Sequence, residues 1–187
     1  RGQRYASDHP EVQKIMARYF PPPDDFFAHV VINTFNQKNL FRRYRLKSLQ
    51  VPNVMDFNVP FGQKDTYNAD FLQTVGLDAD AVVLSQVTRI VKRKGIETAI
   101  ELVERLNDET IRLLITGLAT DDPQGAYHHR LKRLVAEQNL EKKVCFIGER
   151  VGQRRSRLDG RKVFSLSDVY AHSRACTYFS TYEGFGN

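Results

Sequence analysis

Short apolar runs alternate with helix-like segments along the second half of the chain. Four runs have the length of buried strands: AVVLSQ (81–86), IRLLIT (111–116), KVCFIG (143–148) and ACTYFS (175–180). Three segments between them repeat apolar residues at helical spacing: GIETAIELVERLN (95–107), AYHHRLKRLVAEQN (126–139) and FSLSDVYAHS (164–173). This alternation predicts an α/β fold, with a parallel sheet, helices on both faces and right-handed crossovers.

Two of these helices have a predicted buried face. In the helix over 95–107 the face consists of Ile96, Ala99, Ile100, Val103 and Leu106. In the helix over 126–139 it consists of Tyr127, Leu131, Leu134, Val135 and Gln138. Both faces are expected to pack on the sheet.

The first eighty residues are less regular. PPPDDFF (21–27) is an extended break, because proline fixes its own φ and restricts the preceding residue. Four short segments follow it: a strand in AHVVIN (28–33), a helix in NTFNQKNLFRRYR (33–45) capped by Asn33 or Thr34, a strand within LQVPNVMDF (49–57), and a lead-in, PFGQKDTYNADF (60–71), to a short helix before Gly76. The composition suggests a boundary near residues 53–60.

Length and composition indicate a globular chain that is not complete. At 187 residues the chain could form one domain, or one domain and part of another. RGQRYASDHP at the start is polar and lacks an initiating methionine, so truncation at both ends is expected. No apolar run approaches the roughly 20 residues of a membrane span. Cys145 and Cys176 lie in apolar runs, which is typical of a reduced, cytoplasmic protein.

The formal charge of +6 is partly concentrated in LFRRYRLK (40–47) and GQRRSRLDGRK (152–162). Such runs are usually solvated surface, with an anionic partner as the alternative. Nucleic-acid binding is not expected, because no aromatic platform or module signature accompanies the basic residues. Peripheral contact with an anionic membrane through LFRRYRLK stays possible.

Polar and glycine residues follow each predicted strand, where the strands of a parallel sheet present ligands. The four segments are VTRIVKRKG, with Arg89 and Lys94; TGLATDD, with Gly117; IGERVGQRR, with Gly148; and TYEGFGN, with Glu183. Arginine, lysine and glycine N–H groups suit phosphate, and a carboxylate suits hydroxyls. Taken singly, VKRKG could be a surface helix entry and EGFG a tight turn. Their joint placement favours a ligand site.

These residues also carry a resemblance to a family. VVLSQVTRIVKRKGIETAIELVERL, IRLLITG, AEQNLEKKVCFIGE and VYAHSRACTYFSTYEGFGN together resemble the carboxyl-terminal domain of retaining, nucleotide-sugar-dependent glycosyltransferases of the GT-B fold (group 1, family 4 type). The specific motifs are R-x₄-K after the first strand, F-x-G after the third, and the E-G-F-G that opens an E-x₇-E signature. The resemblance implies that residues 1–52 end an amino-terminal Rossmann-like domain and that 53–187 form an incomplete nucleotide-sugar-binding domain.

The resemblance implies a role for each matching residue. Arg89 and Lys94 would contact the donor diphosphate and Glu183 the sugar hydroxyls, which makes these three the predicted catalytic residues. The other predicted donor-binding residues are Gly117, Phe146, Ile147, Gly148, Gly184, Phe185, Gly186 and Asn187. Residues 146–148 would lie near the nucleobase. The charge that grows on the departing diphosphate is what a fixed arginine and lysine stabilise.

The family implies hexosyl transfer with retention, generally without a metal, from a donor such as GDP-mannose or UDP-glucose to a carbohydrate or small hydroxylated acceptor. No metal or other cofactor is therefore expected, and Asp121-Asp122 is interpreted as a solvated turn. The five histidines are interpreted as surface or packing residues: His9, His29, His128, His129 and His172.

Three departures from the family pattern limit what it implies. The second glutamate of the signature would follow Asn187. Ser173-Arg174-Ala175 stands where an Ala-Asp pair is usual, and Phe179 where proline is usual. The fragment alone is expected to be inactive. The alternative is a nucleotide- or phosphosugar-binding module without transferase chemistry.

Overall fold

The computed structural model describes residues 9–19, 21, 27–54, 56, 58, 61–120, 122, 124–181 and 183. The chain divides into two compact units, one with the described residues up to Asp56 and one that spans Phe57–Glu183. This division falls within the expected 53–60 boundary. The assignment of the two parts to two glycosyltransferase domains stays a prediction.

The described residues of the first unit form two helices and two short strands: α1 (Pro10–Tyr19), β1 (Val30–Val31), α2 (Thr34–Tyr44) and β2 (Leu49–Gln50). β1 and β2 pair in parallel. Helix α2 begins as predicted, because the Asn33 side chain accepts a hydrogen bond from the Asn36 N–H at 2.7 Å. Helix α1 was not predicted. Most of the predicted break over 21–27 lies outside the described residues.

The second unit is built on a four-stranded parallel sheet. Its strands are β3 (Val82–Gln86), β4 (Ile111–Ile115), β5 (Val144–Phe146) and, after three strands of a separate sheet, β9 (Ala175–Cys176). The order across the sheet is β5-β4-β3-β9. The helices of this unit are α3 (Phe71–Thr74), α4 (Ile96–Leu106), α5 (Ala126–Glu137) and α6 (Leu166–His172). The predicted parallel α/β sheet is confirmed.

Apolar side chains cover both faces of this sheet, as predicted. Along β4, Leu113 and Ile115 face a core that includes α4 and α5, whereas Leu114 faces one that includes α3 and α6. Successive strand residues point to opposite faces, so one strand supplies both cores. The face predicted for α4 is buried at Ile96, Ala99, Ile100 and Val103. Leu106 departs from it, because at the last turn of the helix it is 47% exposed.

A second, three-stranded sheet was not predicted. It consists of β6 (Val151–Gly152), β7 (Ser156–Leu158) and β8 (Arg161–Ser165), with β7 and β8 antiparallel. The turn between them is Asp159-Gly160, and both residues have positive φ (50° and 76°), as a type I′ hairpin turn requires. The basic run 152–162, interpreted as solvated surface, therefore contains a β-hairpin.

Two boundaries near the end of the chain differ from the prediction. The helix expected over 164–173 begins only at Leu166, because residues 164 and 165 belong to β8 and Ser165 caps the helix with Asp168. The strand expected over 175–180 is limited to β9, which pairs with β3 at Leu84 and Ser85. Both cysteines are free, but Cys176 is exposed rather than packed inside.

Candidate functional site

The loops that follow β3, β4 and β5 are in direct backbone contact at the carboxyl edge of the sheet. A Cβ built on Gly117 would lie 1.9 Å from the Thr88 carbonyl oxygen and 2.7 Å from the Arg89 Cα, so only glycine fits there. A Cβ built on Gly148 would lie 2.6 Å from the Gly117 carbonyl oxygen. Three segments that the sequence placed on one rim, those with Arg89, Gly117 and Gly148, therefore do meet. The Arg89 side chain is exposed.

Two of the three charged residues predicted to act together, Lys94 and Glu183, are in contact. The Lys94 ammonium donates a hydrogen bond to Glu183 Oε1. The Arg93 guanidinium donates to the same oxygen at 3.1 Å. Lys94 is 8% exposed, at the end of a 3₁₀ turn over Lys92–Lys94. Glu183 thus has a cationic neighbour, Arg93, that was not predicted, because the direction of side chains in a short 3₁₀ turn cannot be inferred from spacing.

Backbone and buried polar groups hold these two segments together. The Gln86 side-chain amide donates to the Lys94 carbonyl at 3.0 Å and accepts from the Thr177 hydroxyl. The Thr181 N–H donates to the Arg93 carbonyl at 2.9 Å. Gln86 and Thr177 were not predicted as site residues, although a glutamine at the end of an apolar strand is a signal that could have been followed.

Gly95 allows this close approach. Its φ of 62° lies in the left-handed region, and a Cβ there would lie 2.3 Å from the Phe179 carbonyl oxygen. The backbone of the segment after β9 therefore lies directly against the turn that carries Lys94. Because β3 and β9 are neighbours in the sheet, the loops that follow them are adjacent.

The Glu183 carboxylate is ionised over the whole physiological pH range. Burial raises its pKa, but the hydrogen bond and charge of Lys94, with smaller hydrogen-bond effects that include Arg93, lower it more, from 4.5 to about 2. An ionised carboxylate only accepts hydrogen bonds. Two cations against one carboxylate leave this part of the rim with a surplus of positive charge, which favours an anion.

A cavity of about 760 Å³ opens at the carboxyl ends of β4 and β5. Four predicted donor-binding residues line it: Gly117, Phe146, Ile147 and Gly148. The cavity lining also includes five residues that were not predicted, namely His128, Lys132, Glu149, Arg150 and Arg161. Another cavity, of about 820 Å³, lies beside α3 and contains none of the predicted site residues.

Other predicted positions have different outcomes. Gly184, Phe185, Gly186 and Asn187 lie outside the described residues. Asp122 lies in a turn, as interpreted, but it is partly buried, and its side chain accepts from the Tyr127 N–H of α5 at 2.7 Å. In the part of the chain that the structure describes, no group of three or more His, Cys, Asp or Glu residues could hold a metal ion.

Two histidines pack against aromatic rings. The His172 ring stacks on Phe71 at 5.0 Å, and the His128 ring lies 5.0 Å from Phe146. Burial lowers the pKa of both, and Lys132 and Lys64 add to the effect for His128 and His172 respectively. Both are therefore neutral packing groups at physiological pH. Among the described residues no helix has the length and apolarity needed to cross a membrane.

Comparison with known proteins gives one family and several relatives. The family model of glycosyl transferases group 1 matches residues 69–187. Mannosylglucosylglycerate synthase of Petrotoga mobilis is 32% identical over 196 residues, which cover 94% of this chain and 43% of that protein. The Thermotoga maritima enzyme of the same name is 31% identical, with coverage of 94% and 42%. The chain therefore spans less than half the length of these curated relatives.

Solved structures show the same fold. Sucrose-phosphate synthase from Thermosynechococcus elongatus matches with a TM-score of 0.58 and 27% identity, over 84% of this chain and 36% of that one. Anabaena HepE in complex with UDP-glucose matches with a TM-score of 0.68 and 18% identity, over 94% and 45% of the two chains.

Proposed function

Because this chain belongs to the glycosyl transferases group 1 family and has the GT-B type of fold, we propose that it binds the donor of a hexosyltransferase. The donor is a nucleoside-diphosphate sugar, and the hexosyl group passes to an acceptor with retention of anomeric configuration. The observation that carries this proposal is the contact of Lys94 and Arg93 with Glu183 at the carboxyl edge of the sheet, the same edge on which a cavity opens at the ends of β4 and β5.

The charged residues bind different parts of the donor. Arg89 and Lys94 bind the diphosphate and stabilise the negative charge that grows on it as the bond to the sugar breaks. Arg93 adds a second cation beside Lys94. Glu183, ionised at neutral pH, accepts hydrogen bonds from sugar hydroxyls, and the glycines of residues 184–186 offer N–H groups nearby.

The cavity at the ends of β4 and β5 receives the nucleoside. Its wall includes Gly117 and residues 146–148, and the backbones of Gly117 and Gly148 pack closely there. The rim with Lys94 and the cavity with Gly117 lie along the same sheet edge, as the two ends of one extended ligand require.

The relatives narrow the substrates within this proposal. Two curated relatives above 30% identity are mannosylglucosylglycerate synthases, which supports a mannosyl or glucosyl donor, as GDP-mannose or UDP-glucose, and a small hydroxylated acceptor. Residues 1–52 would end the acceptor-side domain, and no metal would be needed. The two free cysteines suit a cytoplasmic reaction.

The test is a transfer assay on the full-length protein. GDP-mannose and UDP-glucose are incubated with small hydroxylated acceptors, and the product's anomeric configuration is read by NMR. The proposal expects a product with the donor's α-configuration. A β-linked product would overturn retention. Binding of the nucleotide with no transfer to any acceptor would favour the alternative, a binding module without chemistry.

A further inference from the structure

Two cations hold the hairpin formed by β7 and β8 in place: Arg155 directly before β7 and Lys162 in β8. The Arg155 guanidinium donates to Asp168 from Nη2 at 2.5 Å and from Nε at 3.1 Å, and Asp168 is fully buried. Lys162 Nζ lies 2.7 Å from Asp70 Oδ1. Both carboxylates belong to the body of the second unit. The hairpin is therefore fixed by charge at two points.

Tyr67 fixes the hairpin at a third point. Its hydroxyl lies within hydrogen-bonding distance of the Ser156 carbonyl (2.9 Å) and the Val163 carbonyl (3.0 Å), one on each strand. The Arg155 guanidinium lies over the Tyr67 ring, 4.8 Å from its centre. Since both strands are tied to one side chain, the start of β8 has a defined position.

That position brings Arg161 to the cavity at the ends of β4 and β5. Arg161 lines it together with Arg150 and Lys132, and among the described lining residues the only carboxylate is that of Glu149. Within the described residues the side chains of Arg161, Arg150 and Lys132 form no ion pair and no hydrogen bond. Arg155 and Lys162 thus anchor the hairpin through ion pairs. The guanidinium of Arg161, which lines the cavity, keeps its hydrogen-bond donors for a ligand.

We infer that Arg161 is a specificity-determining residue that donates hydrogen bonds to a carbonyl oxygen of the donor's base, with Arg150 in support. This inference rests on the proposed function. Guanine O6 and uracil O4 each accept hydrogen bonds from an arginine that faces that edge of the base, whereas the exocyclic amino group of adenine is a donor, which an arginine cannot satisfy because it has no acceptor. The site therefore favours GDP or UDP over ADP.

The test is calorimetric titration of the full-length protein with UDP, GDP and ADP. Arg161→Ala is compared with wild type and with Arg157→Ala, a change of an exposed arginine on β7, the other strand of the hairpin. Arg161→Ala is expected to lower the affinity for the preferred nucleotide roughly tenfold and to reduce the ratio of that affinity to the affinity for ADP. Arg157→Ala is expected to change neither. In the transfer assay Arg161→Ala raises the donor KM and leaves kcat unchanged, because the base contact does not strengthen in the transition state.

Each other result is decisive. Equal losses for all three nucleotides would place Arg161 on phosphate or ribose and overturn the inference, as would equal losses in the two variants. If Arg161→Ala leaves nucleotide affinity unchanged and Lys94→Ala lowers it, the inference is wrong and the proposed function stands. Absence of nucleotide binding in the wild type would overturn both.

Discussion

Glu183 and Asp168 are two carboxylates of the second unit that look alike in their electrostatics. In both, burial raises the pKa and hydrogen bonds from cationic or polar partners lower it more, to about 2. Arg155, Asn68 and the cap residue Ser165 surround Asp168. Lys94 and Arg93 hold Glu183.

Their surroundings differ. Asp168 is fully buried, and its partners are Ser165 at the end of β8, Arg155 directly before β7 and Asn68 in the segment before α3, so all of its bonds join parts of the fold. The Glu183 side chain is 20% exposed at the sheet's carboxyl edge, where a ligand can reach it. A lowered pKa therefore identifies a paired carboxylate, and only its place in the fold separates an anchor from a binding group.

The largest expected effect is on stability, from Asp168→Ala. Loss of the buried carboxylate leaves Arg155 with only Asp65 and the Asn68 amide with only the Gln63 carbonyl, and it removes the cap that Asp168 forms with Ser165. The free energy of unfolding is therefore expected to fall by about 3 kcal/mol. Urea denaturation measures it. Asp65→Ala, which removes the more exposed partner of Arg155, is the control and should cost much less. Equal losses would show that burial of Asp168 does not matter.

Lys94→Ala is expected to affect catalysis more than folding. Without the ammonium, the donor kcat/KM in the transfer assay should fall about 100-fold, because charge on the diphosphate is no longer stabilised. Lys92→Ala, an exposed lysine of the same 3₁₀ turn, is the matched control and should retain activity. If the two variants lose activity equally, the rim acts only through its general charge.

Gly95→Ala tests the backbone contact between the turn over Lys92–Lys94 and the segment after β9. The new Cβ would meet the Phe179 carbonyl in a left-handed backbone, so the free energy of unfolding should fall by about 2 kcal/mol. Gly76→Ala also places alanine at positive φ (79°) but meets nothing within 4 Å, and should cost less. A larger cost for Gly76→Ala would contradict the proposed packing of the segment after β9 on Gly95.

The smallest effect is the pH dependence contributed by Glu183. Its pKa is lower in the folded state than the ordinary 4.5, so it stabilises the fold above that pH and stops doing so as pH falls towards 2. Glu183→Gln should reduce the loss of unfolding free energy between pH 5 and 2 by about 1 kcal/mol, because the ion pair is partly exposed. Chemical denaturation between pH 5 and 2 measures it, and an unchanged slope would show that the ion pair adds nothing to folding.

The sheet was predictable because its residues repeat an unambiguous pattern. β3 (VVLSQ) and β4 (IRLLI) consist mostly of valine, leucine and isoleucine, and α4 buries every residue of its predicted face except Leu106. The placement of Lys94 and Glu183 on one edge of the sheet followed from topology alone, because both come after strands of one parallel series. Arg93 was missed because its direction depends on the dihedral angles of one turn.

The hairpin was missed for a physical reason. All three residues of β7 are exposed, so the strand has no apolar face for a periodicity argument to detect. It is held by Arg155, Lys162 and Tyr67 through polar contacts with residues distant in sequence. The Asp-Gly pair at 159–160 was the local signal that predicts such a turn. The cavity residue Arg161 could be recognised only once that hairpin was placed.

The most direct test of the central claim is calorimetric titration of the full-length protein with UDP, GDP and ADP, followed by Arg89→Ala and Lys94→Ala. If the carboxyl edge of the sheet binds a donor diphosphate, at least one nucleotide binds and each substitution weakens it roughly tenfold. If no nucleoside diphosphate binds, or if binding survives both substitutions unchanged, this edge is not the donor site.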